Sequence, residues 1–479
     1  MLKAREIDMT NGPILKNLII CAIPLIIMNI LQICFNAADI AVIGLFRGDD
    51  AVAAVGANAS LINLITGLFI GMSTGANVVL AKYCGKQNEE GAKRVVGTSI
   101  CISLISGIVL VIIGIFCAEY FLVWMGCPKE VLPLATKYLT IYLMGMPAVM
   151  LYNFLASILR AVGDTLSPMI FLFISGVVNV GLNVFFVSVC NMSVEGVAIA
   201  TVVSQAISAI CCLVVVLKSK GYSKFSVKHF RIYKQELKEI VEVGIPSGIQ
   251  GCLFSLSNVF LQSAVNALGT NTMAANAVSG QLDSVVYFVG YSFVIACMSF
   301  VSQNYGAGKI DRIKKVIKTT MLVACVASFV VGSTVALLSK YLLRIMTNSE
   351  EVIAIAQIRL QLLGFTYFLC TTMEIFSHSM RALGKSLTSM VICLVGSCLL
   401  RIVYINTVYL LSPSFFMVYL IYPISWILTI ITLLAFLIPQ IKKIERKLKN
   451  PQFPPNQSLE KTKKHSNYAL EKCQVIKSN

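Results

Sequence analysis

Charge is what this sequence has least of. Only 13% of its 479 residues are Asp, Glu, Lys or Arg, about half the roughly 25% usual for a soluble chain. Histidine is scarcer still: His229, His378 and His465 are the only three. No close set of Cys and His has zinc-site spacing, so no metal centre is expected. The sixteen cysteines fall mostly inside apolar runs, as at Cys211, Cys212, Cys297, Cys370, Cys393 and Cys398. They read as small packing residues, not as a disulfide framework. An Asp-x-x-Asp-Asp cluster, or a nucleophile beside a base at a helix end, is also lacking, which argues against a membrane enzyme. No cofactor is expected. The net charge of +17 has no folded basic domain to carry it, so nucleic-acid binding is not expected. The first apolar run, from Ile14, is too long for a leader peptide and lacks a small-residue cleavage site.

What fills the chain is hydrophobic sequence, 57% of it, at a mean hydropathy of +0.81. Apolar runs of about 20 residues, the length that crosses a bilayer, recur from end to end. Twelve are read, six between Ile14 and Leu217 and six between Ile240 and Ile441. Turn-forming residues separate them, as at Gly48-Asp49, Gly126-Cys127-Pro128, Gly269-Thr270-Asn271 and Ser412-Pro413. Pro24 and Pro147 fall inside spans and are expected to interrupt them. Alternate loops collect Lys and Arg: Lys82 to Arg94, Lys218 to Lys238, and Lys309 to Lys318. The positive-inside rule puts those loops and both termini in the cytoplasm, and the apolar, Ile- and Lys-rich character suggests a bacterial plasma membrane. The bulk of the net charge is thereby topological.

The two halves match at a constant spacing. Leu159-Arg160-Ala161-Val162-Gly163 returns as Met380-Arg381-Ala382-Leu383-Gly384, 221 positions later. Gly48 returns as Gly269 and Gly85 as Gly306 at the same spacing, while Ile23-Pro24 returns one residue late as Ile245-Pro246. Six spans per half is an even number, so the halves share an orientation and their pseudo-twofold axis runs along the membrane normal. The expected fold is all-α and integral to the membrane, about twelve transmembrane helices in two homologous six-helix lobes. The expected divisions are an N-terminal lobe over 1–217, a basic cytoplasmic linker over 218–239, a C-terminal lobe over 240–448, and a polar tail over 449–479 expected to be disordered.

Several segments together resemble the multidrug and toxic compound extrusion (MATE) family. They are Met9-Thr10-Asn11-Gly12-Pro13-Ile14, Asn36-Ala37-Ala38-Asp39 to Gly44, Ala51 to Gly56, Leu159 to Thr165, Glu195 to Thr201, and Leu400-Arg401-Ile402. The resemblance spans residues 8–445. It implies a two-lobe antiporter that expels organic cations or other amphiphiles in exchange for H⁺ or Na⁺, here as a monomer among membrane lipids. The alternative is a flippase or exporter for a specific lipid-linked or metabolite substrate.

Ionisable residues at membrane depth are functional candidates by default. Asp39, Asp283, Glu374 and Arg401 stand out, and the repeat sharpens them. At the 221 spacing they face Phe260, Ile62, Asn153 and Val180, none of them charged. Asp39, Asn183 and Thr201 fall within about 3 Å of one another in depth, at 1.5 Å per helical residue. Asn179 and Asn183 share a helix face. The family resemblance implies that Asp39, Asn179, Asn183 and Thr201 form a cation-responsive pocket. Many relatives carry Asp at the position of Asn183, so Asp39 is left as the lone titrating group. H⁺ is the favoured coupling ion, with Na⁺ at Asp39 the alternative. Gln281, Asp283, Tyr287 and Glu374 are the candidates for the substrate cavity. Glu374 is offered Arg381 as a partner, and Arg401 is assigned a structural role.

Overall fold

The computed structural model describes residues 6–449. The tail expected to be disordered lies outside the described residues from 450 onward. Among those described the chain is helical and has no strand. It divides into two units, residues 1–434 and 435–479. In the second, described only to 449, the chain is helical and carries Lys442, Lys443, Arg446 and Lys447.

The N-lobe consists of α1 (Ile14–Arg47), α2 (Asp49–Gly85), α3 (Glu89–Trp124), α4 (Leu132–Met144), α5 (Met146–Ala161), α6 (Leu166–Val184) and α7 (Val194–Lys218). The C-lobe has α8 (Lys234–Asn266), α9 (Thr270–Gly306), α10 (Ile310–Leu337), α11 (Ser339–Arg344), α12 (Glu350–Ala382), α13 (Ser386–Cys393), α14 (Leu400–Ile405) and α15 (Phe415–Lys449). Wide π turns run on from α6 over Phe185–Val189 and join α13 to α14 over Leu394–Leu399. Among the described residues eleven helical segments are long and apolar enough to cross a membrane. The pair α4 and α5, bent by 50° at the break between them, makes a twelfth where the two are counted as one span. That bend falls at Gly145, where Pro147 opens α5 without an amide hydrogen to continue α4. Pro24 and Pro246 are instead carried inside α1 and α8.

Large apolar side chains such as Trp124 and Phe116, 83% and 69% exposed, line the outside, as a surface solvated by lipid tails requires. In lipid the hydrophobic effect does not hold helices together. Close packing and interhelical hydrogen bonds do. Gly71 and Gly75 of α2 face Gly244 and Gly248 of α8. A Cβ at Gly71 would lie 2.2 Å from Gly248 N, and one at Gly75 2.3 Å from Ile240 O. These backbones touch across the lobe boundary. Polar bridges add to them: Asn29 Nδ2 donates to Ser292 Oγ (3.1 Å) and Ser299 Oγ to Asn77 Oδ1 (3.1 Å).

The repeat is visible in paired contacts. Gly85 packs on the carbonyl of Gln303 and Gly306 on that of Lys82, each contact the image of the other. Gly48, alone between α1 and α2, and Gly269, last of the three residues between α8 and α9, both take positive φ, 79° and 104°, which a side chain would strain. The basic segments gather at one end of the bundle. His229 bonds Glu90 (2.8 Å), Lys82 bonds Glu239 (2.8 Å), and Lys309 and Arg312 hold the carbonyls of Thr10 and Asn11 (2.9 and 2.7 Å).

Candidate functional site

Each lobe encloses a cavity, about 300 Å³ in the N-lobe and 340 Å³ in the C-lobe. They are repeat images of one another. Gly280, Asp283, Ser284, Tyr422 and Trp426 line the second, and the residues 221 positions earlier, Ala59, Ile62, Asn63, Thr201 and Gln205, line the first. One scaffold thus holds two sets of side chains at matched places.

In the N-lobe the four residues expected together are together. Asp39 reaches the cavity from α1. Asn183, fully buried on α6, donates Nδ2 to Asp39 Oδ1 and, at 3.3 Å, to Asn179 Oδ1. Asn179 Nδ2 donates to Thr201 Oγ1 of α7 (3.4 Å), and Thr201 in turn to the carbonyl of Val197 (2.9 Å). An unbroken chain of hydrogen bonds therefore links one carboxylate on α1 to α6 and α7. Among the described residues no cationic side chain pairs with Asp39. Asn183 Oδ1 is buried without a partner. The stacked rings of Tyr138 and Tyr142, centroids 6.1 Å apart, close one wall.

In the C-lobe the dominant feature is an ion pair. Arg359 Nε donates to Asp283 Oδ2 at 2.7 Å, and its Nη1 reaches Asn276 Oδ1 (2.5 Å) and Tyr419 Oη (3.1 Å). The guanidinium also lies 4.6 Å from the centre of the Tyr419 ring. Arg359 is absent from the sequence-based candidates. The repeat filter finds it all the same: it sits well inside an apolar span and its counterpart is uncharged Tyr138, which lines the N-lobe cavity.

Of the substrate-cavity candidates, Asp283, Tyr287 and Glu374 line the cavity and Gln281 does not. Gln281 is exposed, two residues before Asp283. Two residues turn a helix by about 200°, which sets the two side chains on nearly opposite faces. Glu374 pairs not with Arg381 but with His378, one turn on (Oε2 to Nδ1, 3.2 Å). His378 Nε2 takes up Arg381 Nη1 at 3.2 Å.

Arg401 also lines this cavity, and its true counterpart differs from the one a constant spacing assigns. Ser208 bonds Ser175 (2.6 Å), while Thr429, 221 positions after Ser208, bonds Ser397 (3.1 Å), 222 after Ser175. The π turn Leu394–Leu399 winds one extra residue into the helix, so the register slips by one. Arg401 thus occupies the place of Asn179, not Val180. Its contact with the Tyr422 ring, 4.0 Å to the centroid, is the image of the Asn179–Thr201 bond.

The family model MatE matches residues 24–185 and 246–406, one match in each half. Among curated relatives, the probable multidrug resistance protein YoeA of Bacillus subtilis is 30% identical, covering 77% of this chain and 81% of its own length. The multidrug export protein MepA of Staphylococcus aureus is 20% identical, over 82% of this chain and 88% of its own. A multidrug resistance MATE family transporter of the MOP superfamily, solved in an outward-facing conformation, superimposes with a TM-score of 0.86 at 21% identity. That alignment covers 93% of this chain and all of the other, and speaks for the fold.

Proposed function

We propose, because this chain belongs to the MatE family of multidrug efflux transporters, that it is a cation-coupled antiporter exporting organic cations and amphiphilic drugs. H⁺ is the favoured driving ion. The lobes rock about the cavities between alternating access states. The chain works as a monomer in a bacterial plasma membrane, with both termini on the cytoplasmic side. The basic turns gathered at one end of the bundle support that orientation.

The observation that carries the reading is Asp39, a carboxylate at membrane depth tied only to neutral side chains. An ion drives transport only if it binds the two arrangements of the protein differently. Asn183 provides a means. It presents an amide N–H to the carboxylate, a group that repels a metal ion and accommodates a bare carboxylate. Once protonated, Asp39 becomes a donor, and the unpartnered Asn183 Oδ1 becomes its acceptor if the amide turns over. That turn withdraws Nδ2 from Asn179, so a proton taken up on α1 is felt on α6 and, through Thr201, on α7. In the C-lobe, Glu374 and Tyr287 are the groups that meet an organic cation. Asp283 is committed to Arg359.

The test is transport in proteoliposomes under imposed proton and sodium gradients in turn. Ethidium should move uphill with the proton gradient in the wild type. In Asp39→Asn, which keeps the shape and removes the titration, uphill movement should vanish while ethidium binding stays measurable. Uphill transport by Asp39→Asn at normal expression would refute the assignment, and transport driven by sodium alone would refute the choice of ion. A flippase for an anionic lipid-linked substrate is the second reading, favoured by two arginines lining one cavity; neutralisation of Arg359 by Asp283 weighs against it.

A further inference from the structure

The export reading gives Arg401 no task. The residue is 4% exposed, and a guanidinium stays protonated wherever it is placed. Such a charge is costly to bury without a counter-charge. Its Nε donates to Ser425 Oγ (3.2 Å) and its Cζ lies over the Tyr422 ring, 4.0 Å from the centre. Among the described residues no carboxylate pairs with it, and the two Nη groups have no hydrogen-bond acceptor. Arg359, by contrast, has Nε and Nη1 committed to Asp283, Asn276 and Tyr419. Arg401 is therefore a fixed positive charge, aimed by Ser425 and Tyr422, with its fork free at the wall of a cavity. Such a fork matches two oxygens of a carboxylate, sulfonate or phosphate. Phe254, Phe288, Met373 and Trp426 line the same space and suit an aromatic body beside that group.

We propose that the C-lobe cavity seats the anionic group of an aromatic amphiphile on Arg401. The substrates then include aromatic anions and zwitterions as well as organic cations. This deepens the export reading and rests on it for the direction of transport, but the binding it asserts can be measured without transport.

The test uses the full-length protein in phosphatidylcholine nanodiscs with three probes: dansylglycine, its neutral amide, and ethidium. The wild type should bind dansylglycine at least about tenfold more tightly than the amide, the scale of a charge-assisted bidentate contact. Arg401→Gln should erase that preference and leave ethidium binding equal or tighter, because a like charge has gone. Arg401→Lys, which keeps the charge and lacks the fork, should fall between. If Arg401→Gln elutes as aggregate, the lysine variant carries the test, with a loss of about fivefold for dansylglycine. A wild type that does not distinguish dansylglycine from the amide overturns the proposal. So does an Arg401→Gln variant that weakens all three probes alike. Replacing a third of the lipid with phosphatidylglycerol separates a lipid headgroup from a soluble substrate. Competitive loss of dansylglycine would assign the fork to lipid and overturn the substrate class. Failure of the export reading shows elsewhere, as a wild type that binds these probes and moves none of them uphill.

Discussion

At matched places in the two lobes stand a neutral amide and a fixed cation. In the N-lobe cavity Asn179 accepts a hydrogen bond from Asn183, which also donates to Asp39, and donates one to Thr201. In the C-lobe cavity Arg401 sits in that position with Tyr422 in place of Thr201. Among the described residues the N-lobe carboxylate thereby has no cationic partner, as the proposed exchange of a mobile cation requires. The C-lobe neutralises its buried aspartate with Arg359 and keeps Arg401 over. A shared helical frame can therefore hold two cavities of different charge, one around a carboxylate tied to neutral groups and one with two arginines, with the difference confined to a few side chains and one π turn.

Making the cavities alike should do the most damage. Asn179→Arg places a guanidinium beside Asp39, as Arg401 stands in the other lobe. We expect a folded protein with no ion-driven transport, because a built-in cation takes the place of the mobile one. Transport at wild-type rate in that variant would mean the amide chain is not part of coupling. Next comes Arg359→Gln, which leaves Asp283 buried and unpaired. The expected loss of stability is about 3–5 kcal/mol, read as a fall in the detergent melting temperature. Adding Asp283→Asn should recover most of it, and a double variant as unstable as the single one would break the ion-pair account. The smallest effect is expected from Thr201→Val, which removes the acceptor of Asn179 Nδ2. A hydrogen bond of this kind contributes about 1 kcal/mol, so the transport rate should drop about fivefold, with expression unchanged.

Much of this was legible in the sequence, because the membrane imposes a strong pattern. Apolar runs, basic turns and the 221-residue spacing are read without any tertiary knowledge. The N-lobe quartet was legible through the family resemblance, which implied it, while counting residues put Asp39, Asn183 and Thr201 at one depth. What lay beyond reach was rotation about the helix axis. Gln281 shares a depth with Asp283 and faces away from the cavity. A constant spacing matches Arg401 to Val180 because it assumes regular turns, and a π turn is invisible in residue counts. Arg381, which the sequence offers Glu374 as a partner, is held off by His378, which bonds both. Arg359, inside an apolar span and opposite uncharged Tyr138, carries the same sequence signal as Asp39, Asp283, Glu374 and Arg401.

The central claim is that Asp39 exchanges a proton against substrate. It is tested most directly by measuring proton release when ethidium binds to the purified protein in weakly buffered solution. The wild type should release protons on binding ethidium, and Asp39→Asn should bind ethidium with no release. Equal release from both proteins would contradict the claim and move the titrating group away from Asp39.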